Sequence, residues 1–236
     1  MERLDKVIAA MGEKSRREVK ELARQGRILV DGAAVLSPDV KVDPATSQIV
    51  VDGAVLGYAR HTYLLLHKPA GLLTATEDPR QETVMDLLPP AYRKRGLAPV
   101  GRLDKDTEGL LLLTDDGELN HRLTSPKYHV EKTYYARVEG DLSEKDVEAF
   151  AAGISLKDFT CLPAKLELLS PSECKVSVGE GKFHQVKRML ASRGAPVIYL
   201  KRLTMGPLRL DDGLPAGSFR ELTEAEAEAL RRCCKP

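Results

Sequence analysis

A charge-dense stretch followed at once by four leucines constrains the middle of the chain more than any other feature. Residues 101–109 begin and end with glycine and carry three carboxylates, Asp104, Asp106 and Glu108. Residues 110–113 are all leucine, and a Thr-Asp-Asp-Gly turn sequence follows them. A short apolar run closed by turn residues is typical of a buried strand. The sequence therefore predicts a polar loop fixed against a core strand, a common place for chemical groups.

The composition narrows the class of protein without identifying it. The chain has 236 residues, of which 42% are hydrophobic and 30% are charged, so one or two domains with a sizeable core are expected. The formal net charge is only +1, so a nucleic-acid role has to be argued from local patches of charge. Cys161, Cys174, Cys233 and Cys234 form no C-x-x-C pair, which predicts neither a zinc site nor a disulfide framework.

The same features indicate where the chain works. Free thiols suggest a reducing compartment. No apolar segment approaches the roughly 20 residues that cross a bilayer, and the first six residues contain no signal-peptide core. We therefore expect a cytoplasmic protein that does not associate with a membrane.

Two short helices are predicted at the N-terminus. Apolar residues recur at helical spacing over residues 4–11. Ser15 and Glu18 then match a capping box, in which each side chain bonds the backbone N–H of the other residue. The second helix is expected over residues 16–25, with Gly26 beyond its end.

Positive charge is concentrated on these helices. Residues 1–27 hold eight Lys or Arg against five Asp or Glu, whereas residues 28–57 hold one Lys against four Asp. Such a stripe can be a solvated helix face, or it can be a face that contacts nucleic-acid phosphates. The cations predicted to contact phosphates are Arg3, Arg16, Arg17, Lys20, Arg24 and Arg27.

The N-terminal segment resembles the small alpha-L RNA-binding domain, first known from a ribosomal protein. The matching pieces are residues 3–5, residues 15–18 and residues 26–32, which read as a short strand and a hairpin-type Asp-Gly turn. The resemblance implies that the helix pair binds structured RNA.

The rest of the chain interleaves strand-like and helix-like segments, often with short turns between the strands. This favours an α+β fold, with a mixed, mainly antiparallel sheet and flanking helices, over a doubly wound sheet. Strands are predicted over 63–66, 110–113, 132–138, 165–169 and 174–178, helices over 83–88, 143–152, 184–192 and after a capping box at 223–226, and a turn over 67–71.

Four blocks in order then resemble RNA pseudouridine synthases, more narrowly the ribosomal small-subunit branch and its large-subunit relatives. Residues 101–110 resemble the signature motif of the family, and the other blocks are residues 68–71, 131–134 and 179–189. Any one block is a weak signal, but four in order behind a matching accessory domain are specific. The resemblance implies an RNA-binding domain over residues 1–58 and a synthase domain over residues 59–236.

The resemblance implies the reaction as well. The enzyme breaks the C1′–N1 bond of a uridine in RNA, turns the uracil and rejoins it through C5, without a metal or cofactor. Asp104 is by resemblance the essential carboxylate, as a nucleophile or in assisting departure of the base, and attack at C1′ or at C6 stays open. The alternative is that Asp104 only caps a turn. Asp106 and Glu108 are expected to be solvated or bonded to the loop backbone.

Two distant residues are the expected partners of Asp104. Tyr134 matches the family tyrosine, which can stack on an extruded uracil and relay a proton, although a core aromatic on a half-buried strand is the alternative. Tyr135 should face the other side of that strand. Lys187 matches the basic residue that pairs with the catalytic aspartate, and Arg188 is its rival one residue along.

Further cations flank these residues and are expected to contact RNA. They are Arg102, Lys105, Lys182 and Arg188. A uridine inside folded RNA must be extruded before its ring can react, and extrusion costs a few kcal/mol that stacking and pocket contacts offset. Contacts to phosphates would fix the register of the RNA.

The expected substrate is 16S rRNA, free or in a partly assembled small subunit, as for a pseudouridine(516) synthase. Residues 124–134 and 183–188 resemble the small-subunit enzyme more than the 23S-directed relatives. A 23S rRNA synthase of the same fold is the alternative, and a non-catalytic rRNA-binding assembly factor is an alternative of another class. A glycosidase would leave the 131–134 and 179–189 blocks unexplained. No coiled-coil signal is present, and we expect a monomer.

Overall fold

The computed structural model describes residues 1–10, 14–44, 47–56 and 61–233. Within these ranges the helices are α1 (Leu4–Ala10), α2 (Arg16–Arg24), α3 (Pro90–Arg93), α4 (Gly117–Thr124), α5 (Glu144–Ala152), α6 (Gln185–Ser192) and α7 (Glu224–Cys233). Short 3-10 turns cover Val84–Leu87 and Pro126–Tyr128. None of the helices in this described part is long and apolar enough to cross a membrane.

Fifteen strands are found in the same ranges. They are β1 (Glu2–Arg3), β2 (Ile28–Val30), β3 (Ala33–Ala34), β4 (Lys41–Val42), β5 (Ile49–Val51), β6 (Ala54–Leu56), β7 (Tyr63–Lys68), β8 (Ala98–Pro99), β9 (Glu108–Thr114), β10 (Lys132–Val138), β11 (Lys165–Ser170), β12 (Glu173–Val178), β13 (Val197–Met205), β14 (Leu208–Arg209) and β15 (Phe219–Glu221).

The chain forms two compact units. One comprises Met1–Thr62 with Leu88–Leu97, and the other comprises Tyr63–Leu87 with Ala98–Pro236. The predicted boundary between residues 58 and 59 falls within residues 57–60, outside the described residues, and stays a prediction.

The first unit is built on the predicted helix pair. The capping box is formed: the Ser15 N–H donates to Glu18 Oε2 at 2.7 Å, and the Glu18 N–H donates to Ser15 Oγ at 3.3 Å. This places Val19, Leu22 and Ala23 on the buried face of α2, where they pack into the core of the unit. The predicted continuation of the first helix to residue 11 lies outside the described residues.

Two tight hairpins complete the first unit. Asp31 and Gly32 join β2 to β3, and Asp52 and Gly53 join β5 to β6. All four residues have positive φ, between 51° and 81°, as a two-residue type I′ turn requires. The sheet has the order β3-β2-β5-β6 with every pair antiparallel, and the hairpin predicted near residue 31 is confirmed.

The second unit contains a large mixed sheet of the order β11-β12-β10-β13-β9-β7-β15. Its pairs are antiparallel except that β13 runs parallel to β9. The predicted α+β fold with a mainly antiparallel sheet is thus confirmed. β13 had not been predicted, because Lys201 and Arg202 interrupt its apolar pattern, yet it lies at the centre of the sheet.

Two apolar clusters pack against this sheet. In one, Phe150 of α5 and Met189 of α6 lie under β10, β11 and β12. In the other, Leu110 and Leu112 of β9 pack with Leu123 of α4 and Leu230 of α7. The helices α4, α5, α6 and α7 are therefore anchored to a common sheet.

Two predictions for the segment before the functional loop need correction. The predicted turn over 67–71 begins later, because His67 and Lys68 belong to β7 and pair with Leu110 and Gly109 of β9. The predicted helix over 83–88 is a 3-10 turn over Val84–Leu87. Proline and glycine at residues 69–71 had drawn the turn two residues too early.

Gly109 provides a test of the central packing. Its φ is +107°, and a Cβ there would lie 2.2 Å from the backbone oxygen of Arg202 on β13. We expect Gly109→Ala to lower the free energy of unfolding by about 3 kcal/mol or more, because the strands must separate. Gly117, the first residue of α4, has no atom within 4 Å of such a Cβ. Gly117→Ala should change the free energy of unfolding by less than about 0.5 kcal/mol. Urea unfolding measures both variants, and equal losses of stability would contradict this account.

Candidate active site

Hydrogen bonds to its backbone hold the loop over residues 101–107, one from within the loop and the others from Gly71 and Thr74. The Thr107 N–H donates to the Asp104 oxygen at 3.0 Å, and the Gly71 N–H donates to the Lys105 oxygen at 2.8 Å. Thr74 Oγ1 both donates to the Leu103 oxygen at 2.8 Å and accepts from the Leu103 N–H at 3.2 Å. These hydrogen bonds hold the loop backbone at Leu103, Asp104 and Lys105.

A buried lysine holds the loop from below. Lys68, at the end of β7, is 0% exposed. Its Nζ donates to the backbone oxygens of Pro69 (3.0 Å), Asp104 (3.2 Å), Lys105 (3.2 Å) and Thr107 (3.0 Å). Burial lowers the pKa of Lys68 to about 8, so the ammonium form still predominates at neutral pH.

The Asp104 carboxylate is held by two side chains near the start of α6. Lys187 Nζ lies 3.0 Å from Asp104 Oδ2, and His184 Nε2 lies 3.4 Å from Asp104 Oδ1. The Asp104 side chain is 26% exposed, so it remains accessible from the cleft. The partly exposed carboxylate is therefore oriented by a neighbouring cation and still reachable by a ligand.

Lys187 serves two carboxylates at once. Its Nζ also donates to Asp106 Oδ1 at 2.6 Å. Burial opposes the charge of Lys187, but the hydrogen bonds to Asp106 and Asp104 outweigh it, and the pKa of Lys187 is raised. The hydrogen bond from Lys187 in turn lowers the pKa of Asp106. The ammonium is therefore charged throughout the neutral range.

Arg188, the rival for this position, makes different contacts. Its guanidinium bonds the Asp158 carboxylate through both terminal nitrogens and lies 5.1 Å from the centre of the Phe159 ring. The residue that contacts Asp104 is thus Lys187.

The other two carboxylates of the loop differ from expectation. Asp106 is exposed, but it pairs with Lys187, which is 81 residues away in sequence. Glu108 begins β9, and its Oε2 accepts a hydrogen bond from the Tyr199 hydroxyl at 2.8 Å. Burial together with this bond raises the pKa of Tyr199 to about 12. Neither carboxylate is merely solvated or bonded to the loop backbone.

Tyr134 reaches the same site from the middle of the sheet. It lies on β10 between Val176 of β12 and Arg202 of β13, and its side chain lines the cleft beside Asp104. The β10–β13 register shifts between Thr133 and Tyr134, an irregularity of the kind that re-aims side chains. Tyr135 instead packs its ring against Tyr199, with centroids 6.0 Å apart.

The cleft around these residues suits an anionic ligand with aromatic parts. The Asp104 carboxylate lies on its wall with Tyr134, His184 and the exposed ring of Phe183. Basic side chains that line it are Arg102, Lys105, Lys132, Lys182 and Arg202. Cations that bind phosphates and rings that stack on bases are the two components of a nucleic-acid site.

The cations predicted to bind RNA are engaged to different degrees. Within the cleft, Lys105 Nζ donates to Gln81 Oε1 at 2.6 Å, and Lys182 Nζ lies 3.9 Å from the centre of the Phe159 ring. Arg102 is exposed at the cleft. In the first unit, Arg3 pairs with Asp5 and Asp39, and Arg27 pairs with Asp52 at 2.6 Å.

The remaining four lie on α2, where all are exposed. Arg17, Lys20 and Arg24 border one surface groove together with Glu18 and Glu21. Arg24 lies 3.9 Å from Glu21, too far for more than a weak ion pair. Arg16 is exposed at the start of the helix. These side chains are open to a phosphate backbone.

The cysteines and acidic groups form no metal centre in the described part of the chain. Cys161 and Cys174 are buried free thiols, and Cys233 is an exposed free thiol. Over the described ranges, no group of three or more His, Cys, Asp or Glu side chains is arranged to hold a metal ion. Cys234 lies outside those ranges.

Comparison with known proteins assigns both units. The family model described as RNA pseudouridylate synthase matches residues 62–192, more than half of the chain and the part that holds Asp104, Tyr134 and Lys187. The chain belongs to the RNA pseudouridine synthases. It is therefore an isomerase that acts on RNA, and the S4 domain model matching residues 2–46 confirms the RNA-binding domain at its N-terminus.

Individual relatives of the synthase span almost its whole length. An uncharacterized RNA pseudouridine synthase of Bacillus subtilis (strain 168) is 44% identical over 97% of this chain and 98% of its own. Ribosomal small subunit pseudouridine synthase A of Escherichia coli (strain K12) is 40% identical over 97% of this chain and 99% of its own. A crystal structure of a pseudouridylate synthase aligns with 98% of this chain and 100% of its own, with a TM-score of 0.69 and 36% identity.

Two residues of the site had no predicted role. Lys68 and His184 each lay in a matching block, but neither was assigned a contact. For Lys68 the signal was its position two residues after the apolar segment 63–66 and before a proline, where a charged residue is difficult to solvate. For His184 no local signal exists, since its contact with Asp104 depends on how α6 meets the loop.

Lys68 can be tested against the neighbouring Lys105. We expect Lys68→Met to lower the free energy of unfolding by about 2 kcal/mol or more, because four backbone oxygens lose their donor. Lys105→Met removes an exposed ammonium from the same loop and should change stability by less than about 0.5 kcal/mol. Urea unfolding followed by circular dichroism measures both; a stable Lys68→Met variant would show that the ammonium does not hold the loop.

Proposed function

We propose that the synthase converts one uridine of 16S rRNA to pseudouridine, with Asp104 as the catalytic carboxylate and position 516 as the expected target. The observation that carries the proposal is that Asp104, held 3.0 Å from Lys187, shares one cleft with Tyr134. Three side chains from distant parts of the sequence converge there. We further propose a cytoplasmic monomer.

In the proposed reaction Asp104 acts where charge develops. The C1′–N1 bond breaks and leaves its electron pair on the uracil, and the ring turns so that C5 can bond to C1′. C5 then loses its proton while N1 gains one, so the atoms balance without an added reactant. Asp104 adds to C1′, assists departure of the base, or adds to C6. The Lys187 ammonium, 3.0 Å from Asp104 Oδ2, orients the carboxylate in each case.

Tyr134 is proposed to act on the extruded uracil. An aromatic ring on the cleft wall can stack on the base, and a phenolic hydroxyl can relay the proton that leaves C5. Its position on a strand between two other strands holds the ring in one place. The Tyr134 ring would thus provide a fixed stacking surface for the extruded base.

The 16S preference is supported by relatives rather than by geometry. Proteins that are 40% identical over 97% of this chain are named ribosomal small subunit pseudouridine synthase A. Mapping pseudouridines in 16S and 23S rRNA from cells that lack the synthase tests the assignment. Loss of one site in 16S rRNA is expected. Loss of a site in 23S rRNA would instead favour the large-subunit alternative, and no loss would favour redundancy with another synthase or a non-catalytic assembly factor.

The role of Asp104 can be separated from that of its neighbour. We expect Asp104→Asn to reduce isomerisation to background while the fold and RNA affinity persist, since the amide is isosteric but carries no charge. Asp106→Asn removes a second carboxylate from the same lysine, and it should retain activity within about tenfold of the wild type. Single-turnover assays on rRNA measure both; turnover by Asp104→Asn at the wild-type rate would refute the proposal.

The α2 cations should determine part of the salt dependence of binding. We expect the triple variant Arg17→Gln, Lys20→Gln, Arg24→Gln to reduce the slope of log K against log salt by about 2–3, because each lost phosphate contact removes about 0.7–0.9. A control variant replaces three exposed lysines elsewhere, Lys94, Lys145 and Lys165, by glutamine. The slope of the control should stay near that of the wild type; the same decrease in both would mean that only net charge matters.

A further inference from the structure

Phe183 is the most exposed large aromatic side chain at the cleft. It is 71% exposed, although burying a phenylalanine ring is strongly favourable. One face of the ring is covered, because it stacks on His184 with centroids 3.8 Å apart and an angle of 18° between the planes. The high exposure leaves the opposite face open to solvent.

The backbone holds this ring in its exposed position. Phe183 lies in a second loop, residues 180–185. The side chain of Gln185 accepts from the Lys182 N–H at 3.0 Å and donates to the buried Glu180 carboxylate at 2.7 Å, which holds this loop across its width. His184 itself has a left-handed conformation with φ of +50°, an uncommon state for a non-glycine residue. The loop is thus constrained to present Phe183 outward.

The stacked pair is also continuous with the reacting groups. His184 Nε2 lies 3.4 Å from Asp104 Oδ1, so the Phe183 ring, the His184 ring and the carboxylate form one row along the cleft wall. A uracil placed beside Asp104 and Tyr134 would bring the adjoining nucleotide of the same strand to the outer end of that row. The cations Arg102 and Lys182 line the same cleft and suit its phosphates.

We infer that the open face of Phe183 stacks on the nucleobase that adjoins the target uridine. The inference rests on the proposed placement of the target uridine beside Asp104, and it does not depend on 16S rRNA being the substrate. Stacking suits the position because every base has a π-face, so the platform adds affinity and register without reading sequence. Phe183 is in this view a positioning residue for the strand.

Phe159 and Ile198 do not share these properties. Phe159 is partly buried and has Lys182 at 3.9 Å and Arg188 at 5.1 Å from its ring centre. Ile198 on β13 is 66% exposed but has no aromatic face. Ile198 therefore supplies a matched control for the loss of an exposed apolar side chain.

The inference is tested by combining substitutions of Phe183 in the protein with removal of single bases in the RNA. The probes are short single-stranded RNAs with one central uridine and either a normal base or an abasic sugar on its 5′ or 3′ side. Binding is measured at low salt, where phosphate contacts retain any RNA. Phe183→Ala should weaken binding of the normal RNA about tenfold, whereas Phe183→Trp and Ile198→Ala should bind as the wild type does.

The abasic RNAs decide between stacking and an indirect effect. Removing the base on the side that contacts Phe183 should weaken binding by the wild type about tenfold. The same removal should leave binding by Phe183→Ala unchanged, because its stacking contact is already lost. The inference would be overturned if, on each side, the abasic substitution weakened binding by Phe183→Ala as much as binding by the wild type. Phe183 would then act through His184 or through residues 180–185. Quenching of 2-aminopurine fluorescence at that side by the wild type, and not by Phe183→Ala, gives an independent readout. Binding requires no turnover, so an error in the 16S assignment leaves these outcomes unchanged.

Discussion

The geometry of the site depends on a charge that water cannot reach. The Lys68 ammonium has no solvent exposure, and backbone oxygens of Pro69, Asp104, Lys105 and Thr107 accept its hydrogen bonds. An ammonium without partners in such a place would be very costly, so alternative conformations of the loop are disfavoured together. The backbone of Asp104 is consequently held in place, which is the preorganisation that the proposed role of its carboxylate requires.

The large sheet brings Asp104, Tyr134 and Lys187 together, although they are far apart in sequence. Asp104 lies on a loop before β9, Tyr134 lies on β10, and Lys187 lies on α6, which packs against the β10 side. The strand that connects these parts is β13, which pairs with β10 on one edge and with β9 on the other. The close approach of Gly109 to Arg202 sets how near the two halves of the cleft come.

Sequence patterns predicted the local features and left out the long-range ones. The helix after Ser15, the hairpin at Asp31 and the strand over 132–138 follow from capping, turn chemistry and periodicity, all of which act over a few residues. The pairing of Lys187 with Asp104 was anticipated through resemblance alone. The central position of β13 and the contact of His184 with Asp104 depend on how distant segments meet, and no local pattern encodes these.

The shared ammonium of Lys187 has a consequence for charge balance. With Asp104 and Asp106 both ionised, the three groups together carry one negative charge. If Asp104 loses its charge by forming a bond to the substrate, the trio becomes neutral instead of leaving an unpaired cation in a half-buried position. Asp106 thus acts as a standing counter-ion, and Lys187 need not move or release a proton as the reaction proceeds.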